Sequence, residues 1–311
     1  MDLITKIYGF SKERKATVVA TFTATFLALV KLVIGIMSGS VAVLASAMDS
    51  ILDTAISIFN FFAIKKAEED ANEQFNYGKG KIQAIAGVIE GVIITISGLY
   101  IIYEGIIKLI YKKETNMLGV SVVVMLISIA VTWFLVKYLE KTAKETDSIV
   151  VKSDALHYKA DLLSNGAVLV ALFLVSISGF DFIDALFGIA IGGYIIYSAY
   201  EIIKEGVLVL LDRSLEPEMV AKIGEIISNT KEINGYHWLK TRTDGTHNFV
   251  EVHLVLDPDM SISKAHDIAE EIIEKVVALD KKKGWVITPH FDPHDDEELN
   301  IHYFKGDLDN E

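Results

Sequence analysis

The sequence predicts a six-helix membrane domain followed by a small α+β domain, and three observations support this fold class. Of the 311 residues, 51% are hydrophobic, which is high for a soluble protein. Six segments contain the roughly 20 mostly apolar residues that a helix needs to cross a bilayer. The rest of the chain is acidic: from Glu205 on, acidic residues outnumber basic ones 23 to 11. Because phosphate binding needs clustered Lys and Arg, this charge argues against nucleic acid as a partner.

The six predicted spans cover about residues 16–37, 40–63, 82–108, 117–139, 149–176 and 181–203, within a membrane domain at 1–210. Lys and Arg collect before the first span, after the second and after the fourth, as at Lys12, Lys66 and Lys141. Positive residues beside spans favour the cytoplasmic side. We therefore expect both termini in the cytoplasm.

The C-terminal domain is expected at residues 211–293. Helices are predicted at 217–229 and 262–279, and strands at 235–243, 248–256 and 284–291. The alternation in "NFVEVHLVL" indicates a strand, and Ser261 or Ser263 can cap the second helix. This αββαβ order predicts a ferredoxin- or metallochaperone-like fold with helices on one face of a sheet. Residues 294–311 form a charged tail that we expect to be disordered.

Two pairs of polar residues lie inside predicted spans. Asp49 and Asp53 are four residues apart in the second span, and His157 and Asp161 are four apart in the fifth, so each pair shares one helix face. Carboxylates at membrane depth are costly unless they are paired, hydrated or metal-bound. The chain has no cysteine, which leaves His, Asp and Glu as metal ligands. If the two faces meet, the four residues form a tetrahedral site for a divalent ion such as Zn²⁺.

Other polar residues in the spans have simpler explanations. A lone acid near a helix end, such as Asp154, is expected to snorkel to the interface or cap the helix. The hydrogen-bonding groups of Glu90 and Lys31 are expected to find partners on a neighbouring helix or at the membrane interface. Among the four paired residues, His157 stands apart because histidine titrates near neutral pH. A proton on its ring would displace a metal, so metal release and proton entry are expected to be linked.

The stretches "LVKLVIGIMSGSVAVLASAMDSILD" and "DALHYKADLLSNGAVLVAL" resemble the cation diffusion facilitators, and within them the bacterial iron and zinc efflux members. The resemblance extends from about residue 10 to residue 293. It implies a homodimer in the plasma (inner) membrane with inward-facing and outward-facing states, and no enzymatic activity or organic cofactor. It further implies export of Zn²⁺ or a similar ion, such as Fe²⁺, Cd²⁺, Mn²⁺ or Co²⁺, in exchange for H⁺.

The resemblance also implies roles for particular residues. The transport site would be Asp49, Asp53, His157 and Asp161. A charge interlock between protomers would involve Lys81 in "GKGK" and Asp212 in "LLDRSL". A metal site in the C-terminal domain, at the dimer interface, would use His237, His253, His266, His290 and Asp292. His253 and His266 could instead be ordinary surface or core residues.

One loop departs from the family pattern. Related members carry a further metal site between the second and third spans, with an acid and two histidines. Phe75 and Lys79 stand where those histidines would be, and a protonated lysine cannot bind a metal. We therefore predict that this site is missing, or is rebuilt from the acids of the loop, which are Glu68, Glu69, Asp70 and Glu73.

Two other functions were weighed against transport. An intramembrane metal-dependent hydrolase could use a His and acid site to activate water, but the sequence has no HExxH motif and no separate candidate base. A metal sensor, with the spans serving only as an anchor, leaves the acids inside the membrane unexplained. The leading prediction is therefore a transporter that exports a divalent metal.

Overall fold

A computed structural model describes residues 9–38, 41–111, 119–178 and 182–295. The chain divides into two compact units, Met1–Leu208 and Val209–Glu311. Most of the predicted tail, residues 296–311, lies outside the described residues.

The described part of the first unit is helical. Its helices are α1 (Lys12–Ser38), α2 (Val41–Ala67), α3 (Ile82–Tyr111), α4 (Gly119–Thr146), α5 (Ile149–Ser178) and α6 (Phe182–Leu210), the last ending two residues into the second unit. All except α5 contain a stretch long and apolar enough to cross a membrane. The first half of α5 carries Lys152, Asp154, Lys159 and Asp161. A helical membrane domain is thus confirmed, and the count of six spans stays a prediction.

On α1, small residues face inward and large apolar residues face outward. On α1, Ala16, Ala20 and Ala24 recur every four residues and are at most 1% exposed, whereas Phe22 and Phe26 on the same helix are exposed. In water such a surface would be unfavourable. In lipid it is the expected arrangement, because small residues let helices approach closely while the apolar surface contacts acyl chains.

Helices α3 and α6 approach most closely at glycines. A Cβ built on Gly192 of α6 would lie 2.6 Å from Ile102 Cγ1 and 2.8 Å from the carbonyl oxygen of Gly98 on α3. A Cβ built on Gly193 would meet no atom within 4 Å. Gly192 therefore allows the contact between these two helices.

The second unit contains α7 (Pro217–Ser228), β1 (Gly235–Thr243), β2 (His247–Val255), α8 (Ile262–Val277) and β3 (Gly284–Asp292), which is the predicted αββαβ order. The sheet has the order β1-β2-β3; β1 pairs with β2 antiparallel and β2 with β3 parallel. A tight turn at Asp244 and Gly245 joins β1 to β2, and Gly245 has a φ of 98° that suits glycine. Ser261 caps α8, since its side chain accepts a hydrogen bond from the backbone of Lys264.

The helices of this unit cover one face of the sheet. Val250, Val252 and Leu254 of β2 are buried in a core with Ile223 of α7 and Ile272 of α8. Side chains alternate between the faces of a strand, so His253 lies on the face opposite to the helices. That face carries the second candidate site described below.

Candidate metal centres

The first candidate centre lies between α2 and α5. His157 Nε2 is hydrogen-bonded to Asp53 Oδ1 at 3.0 Å and lies 3.9 Å from Asp161 Oδ2. The three side chains each place a ligand atom within 4.8 Å of the others. A single imidazole nitrogen thus faces two carboxylates. One cation between them would accept lone pairs from all three groups, which are donors that Zn²⁺ uses.

Asp49 and Lys31 lie near this centre without entering the group of three. Asp49 is exposed, one helical turn before Asp53, and is not among the ligand atoms gathered within 4.8 Å. Lys31 of α1 is 8% exposed, and its ammonium donates to Ser50 Oγ at 2.8 Å. A neighbouring helix thus satisfies Lys31, as the sequence predicted.

The second candidate centre crosses the sheet of the C-terminal unit. His237 is the cross-strand neighbour of His253, and His253 is the neighbour of His290, so the three imidazoles form one row. Asp292, two residues after His290, meets all of them. Its Oδ2 lies 3.2 Å from His237 Nε2 and 2.8 Å from His253 Nδ1, and its Oδ1 lies 3.2 Å from His290 Nε2.

The donors of this second centre fit a zinc ion. His237, His253 and Asp292 each bring a ligand atom within 4.8 Å of the others, and His237 and Asp292 are buried. Three imidazoles and one carboxylate would complete a tetrahedral set without any thiolate. The strand register holds the row in place, because a shift by one residue would move each histidine to the other face.

Comparison with known proteins gives the family. Residues 17–211 match the model for a cation efflux transmembrane domain, and residues 215–294 match that for a cation efflux protein cytoplasmic domain. The chain belongs to the cation diffusion facilitator family. It is 35% identical over 279 residues to the cation-efflux pump FieF of Citrobacter koseri, covering 90% of this chain and 92% of the relative. It is 37% identical over 257 residues to FieF of Pectobacterium atrosepticum, covering 82% and 84%.

The family membership confirms the resemblance seen in the motifs. This cation diffusion facilitator is a multi-pass membrane protein that exports cations, and it is not an enzyme. Its αββαβ unit is the cytoplasmic domain of the family. The fold and the class of activity therefore agree with the expectations drawn from the sequence.

Two acids of the loop between α2 and α3, Glu68 and Glu69, form ion pairs. Glu69 contacts Lys66 at 2.6 Å and Lys79 at 2.8 Å, and Glu68 lies 3.6 Å from Arg14. Hydrogen bonds from Lys66 and then Lys79 lower the pKa of Glu69 to about 2, so this carboxylate stays ionised and paired at neutral pH. The described residues of this loop bring no three metal-binding groups together.

Three other residues with predicted roles lie outside the two candidate centres. His266 is exposed on α8 and is not part of the histidine row. Asp212 has a φ of 56° and lies 3.5 Å from Arg242 within the C-terminal unit. Lys81 is half-buried immediately before α3. Its proposed pairing with Asp212 involves two protomers and two units, so it stays a prediction.

Sequence reasoning missed two acids. Asp295 lies 3.4 Å from His237 Nδ1; it belongs to the acidic run "HDDEE", in which no single residue stands out. Asp154 was expected at the interface or as a helix cap, and that expectation is wrong, because its side chain is completely buried. Its position three residues before His157 was the one available signal.

Proposed function

We propose that this transporter exports a divalent metal ion, with Zn²⁺ as the first candidate, across the plasma (inner) membrane in exchange for H⁺. The observation that carries the proposal is the position of His157 Nε2 between Asp53 and Asp161. The same nitrogen accepts either a metal ion or a proton, so binding of one excludes the other. The names of the relatives, cation-efflux pumps, agree with this direction of transport.

The donor set favours reversible binding. Imidazole and carboxylates suit Zn²⁺, and they also accept Fe²⁺, Cd²⁺, Mn²⁺ or Co²⁺, because selectivity among such ions does not follow from ligand type alone. We propose that Asp49 joins Asp53, His157 and Asp161 as the fourth ligand in a state in which α2 is turned toward α5. Asp49 lies on the same face of α2 as Asp53, which supports this assignment.

The larger assembly belongs to the same proposal. We infer a homodimer with six spans per protomer, both termini in the cytoplasm, and alternating access to the metal centre. Residues 1–210 would form the membrane domain and 211–293 the cytoplasmic domain. Lys81 and Asp212 would link the protomers, and His237, His253, His266, His290 and Asp292 would hold regulatory metal at the dimer interface. The family's cytoplasmic-domain model over residues 215–294 supports the location of that last site.

Transport by the purified full chain in proteoliposomes tests the proposal. We expect Zn²⁺ uptake to require an imposed pH gradient, with the acidic side inside the vesicle. Asp53→Asn should lower uptake by about tenfold or more, because it removes a ligand charge. Glu201→Gln, which alters an exposed acid on α6, should leave uptake unchanged.

Two results would contradict the proposal. If Asp53→Asn takes up Zn²⁺ as fast as the wild type, the ion does not pass through this centre. Uptake that is independent of the pH gradient would show that protons are not exchanged. Competition by Fe²⁺, Cd²⁺, Mn²⁺ and Co²⁺ in the same assay ranks the metals.

A further inference from the structure

A group of buried polar side chains lies beside the membrane metal centre. It consists of Asn60 of α2, Glu90 of α3, and Ser153 and Asp154 of α5. All four are at most 1% exposed. Asp154 precedes His157 by three residues, or about 5 Å along the helix. Asn60 follows Asp53 by seven residues, so the group lies on the side of the centre nearest the α2–α3 loop.

Hydrogen-bond donors in this group converge on a single oxygen. Asn60 Nδ2 donates to Glu90 Oε2 at 3.1 Å, and the Ser153 hydroxyl donates to the same atom. Glu90 Oε1, Asn60 Oδ1 and both carboxyl oxygens of Asp154 are buried with no partner in ordinary hydrogen-bond geometry, and Asn60 is the side chain that acts on Asp154 as a donor. Buried acceptors without donors are rare and costly. A proton on one of the two carboxyl groups would supply a donor to these acceptors.

Charges around Asp154 lead to the same conclusion. The groups that act on it electrostatically are Glu90 from α3, Asp53 from α2, and His157 and Tyr158 from its own helix. Packing around the group is apolar, with Ile64, Ala86 and Val151 in the adjoining core. Two ionised carboxylates that act on each other in a weakly polar interior repel, and a single proton on the pair removes that repulsion.

We propose that Glu90 and Asp154 form a proton-binding site behind the metal centre, holding one proton when the centre is empty and releasing it when a metal ion binds. This proposal rests on the proposed metal–proton exchange and adds a site to it. Glu90 accepts two hydrogen bonds and is the better placed to be ionised, so the proton resides on Asp154. A divalent ion bound by Asp53, His157 and Asp161 adds positive charge nearby and so expels the proton.

Proton release on metal binding tests the proposal. Full-length protein in weakly buffered detergent solution is titrated with Zn²⁺, and the protons released per bound ion are measured with a pH indicator. The double variant Glu90→Gln/Asp154→Asn keeps the shapes of both side chains and removes both acids. It should still bind Zn²⁺ but release fewer protons, by up to about one per ion. The slope of log affinity against pH should fall by the same amount.

Matched controls separate this proposal from the function on which it rests. Glu104→Gln, on the same helix as Glu90, should release as many protons as the wild type. The C-terminal centre contributes equally to every variant, so differences report on the membrane unit. Equal release by the double variant and the wild type would overturn the proton site. A wild type that releases no protons would overturn the proposed exchange together with the proton site that rests on it.

Infrared difference spectroscopy on the wild type gives a second test that does not depend on folding of the double variant. Zn²⁺ binding should remove a carbonyl stretching band of a protonated carboxyl group. That band should be missing from the difference spectrum of Asp154→Asn and present in that of Glu104→Gln. A wild-type spectrum without loss of such a band, or a loss that persists in Asp154→Asn, would contradict the proposal.

Discussion

Asp292 organises the candidate metal centre of the C-terminal unit. Its two carboxyl oxygens lie within 3.2 Å of nitrogens on His237, His253 and His290, and its side chain is only 8% exposed. A buried carboxylate surrounded by imidazoles orients the rings and supplies the negative charge that a divalent ion needs. A substitution at this residue therefore tests metal binding by the centre without altering the pairing of the strands.

We expect Asp292→Asn to weaken zinc binding at this centre by on the order of 10–100-fold or more. The carboxamide keeps the shape of the side chain, but it lacks the charge and places a donor group among the rings. Isothermal titration of the full chain with Zn²⁺ should therefore show one class of site lost. Asp267→Asn, at an exposed acid on α8, is the matched control. Unchanged stoichiometry and affinity in Asp292→Asn would contradict the role of Asp292.

At the scale of elements, the strands were predicted well because they carry a local signal. Alternation in "NFVEVHLVL" distinguishes the two faces of β2, and the structure adds a hairpin turn at Asp244 and Gly245. The observed strand Gly235–Thr243 has the predicted bounds, and the other two strands differ by one residue at their ends. Once the register is known, His237, His253 and His290 necessarily form a row.

The helices show what the sequence could not predict. A spacing of four residues places His157 and Asp161 on one face of α5, but it does not say which helix that face meets. The burial of Asp154 depends on Glu90 and Asn60, which come from two other helices. Such contacts depend on helix rotation and crossing, which tertiary packing determines and local sequence does not.

The contact between α3 and α6 gives a prediction at this scale. Gly192→Ala should destabilise the protein by about 1–3 kcal/mol, because its methyl group would overlap Ile102 and the backbone of Gly98. Gly193→Ala has open space, and it should be neutral or stabilising by up to about 1 kcal/mol because alanine favours helix. Thermal unfolding in detergent measures both variants. Equal melting temperatures would contradict the close packing inferred for Gly192.

On the scale of the whole molecule, the chain joins a lipid-solvated unit to an acidic cytoplasmic domain, and among the described residues each unit contains one group of side chains that could hold a metal ion. The apolar spans and the charge of the last third were both evident from composition. An effect of metal binding in the cytoplasmic domain on the membrane helices would require both units. If the proposed homodimer places the histidine rows near each other, metal in the cytoplasmic domain stabilises the dimer and favours one state of the membrane helices.

Removing metal should therefore weaken the dimer. An ion present at a hundredfold excess over its dissociation constant stabilises the form that binds it by about 2.7 kcal/mol, and this stabilisation is lost on chelation. We expect a chelator to raise the dimer dissociation constant of the full chain in detergent. Light scattering over a dilution series measures this constant. Asp292→Asn should behave without chelator as the wild type does with it, whereas Asp267→Asn should match the wild type in both conditions. A dimer dissociation constant that chelation does not change would show that the histidine row binds metal within each protomer without linking the two.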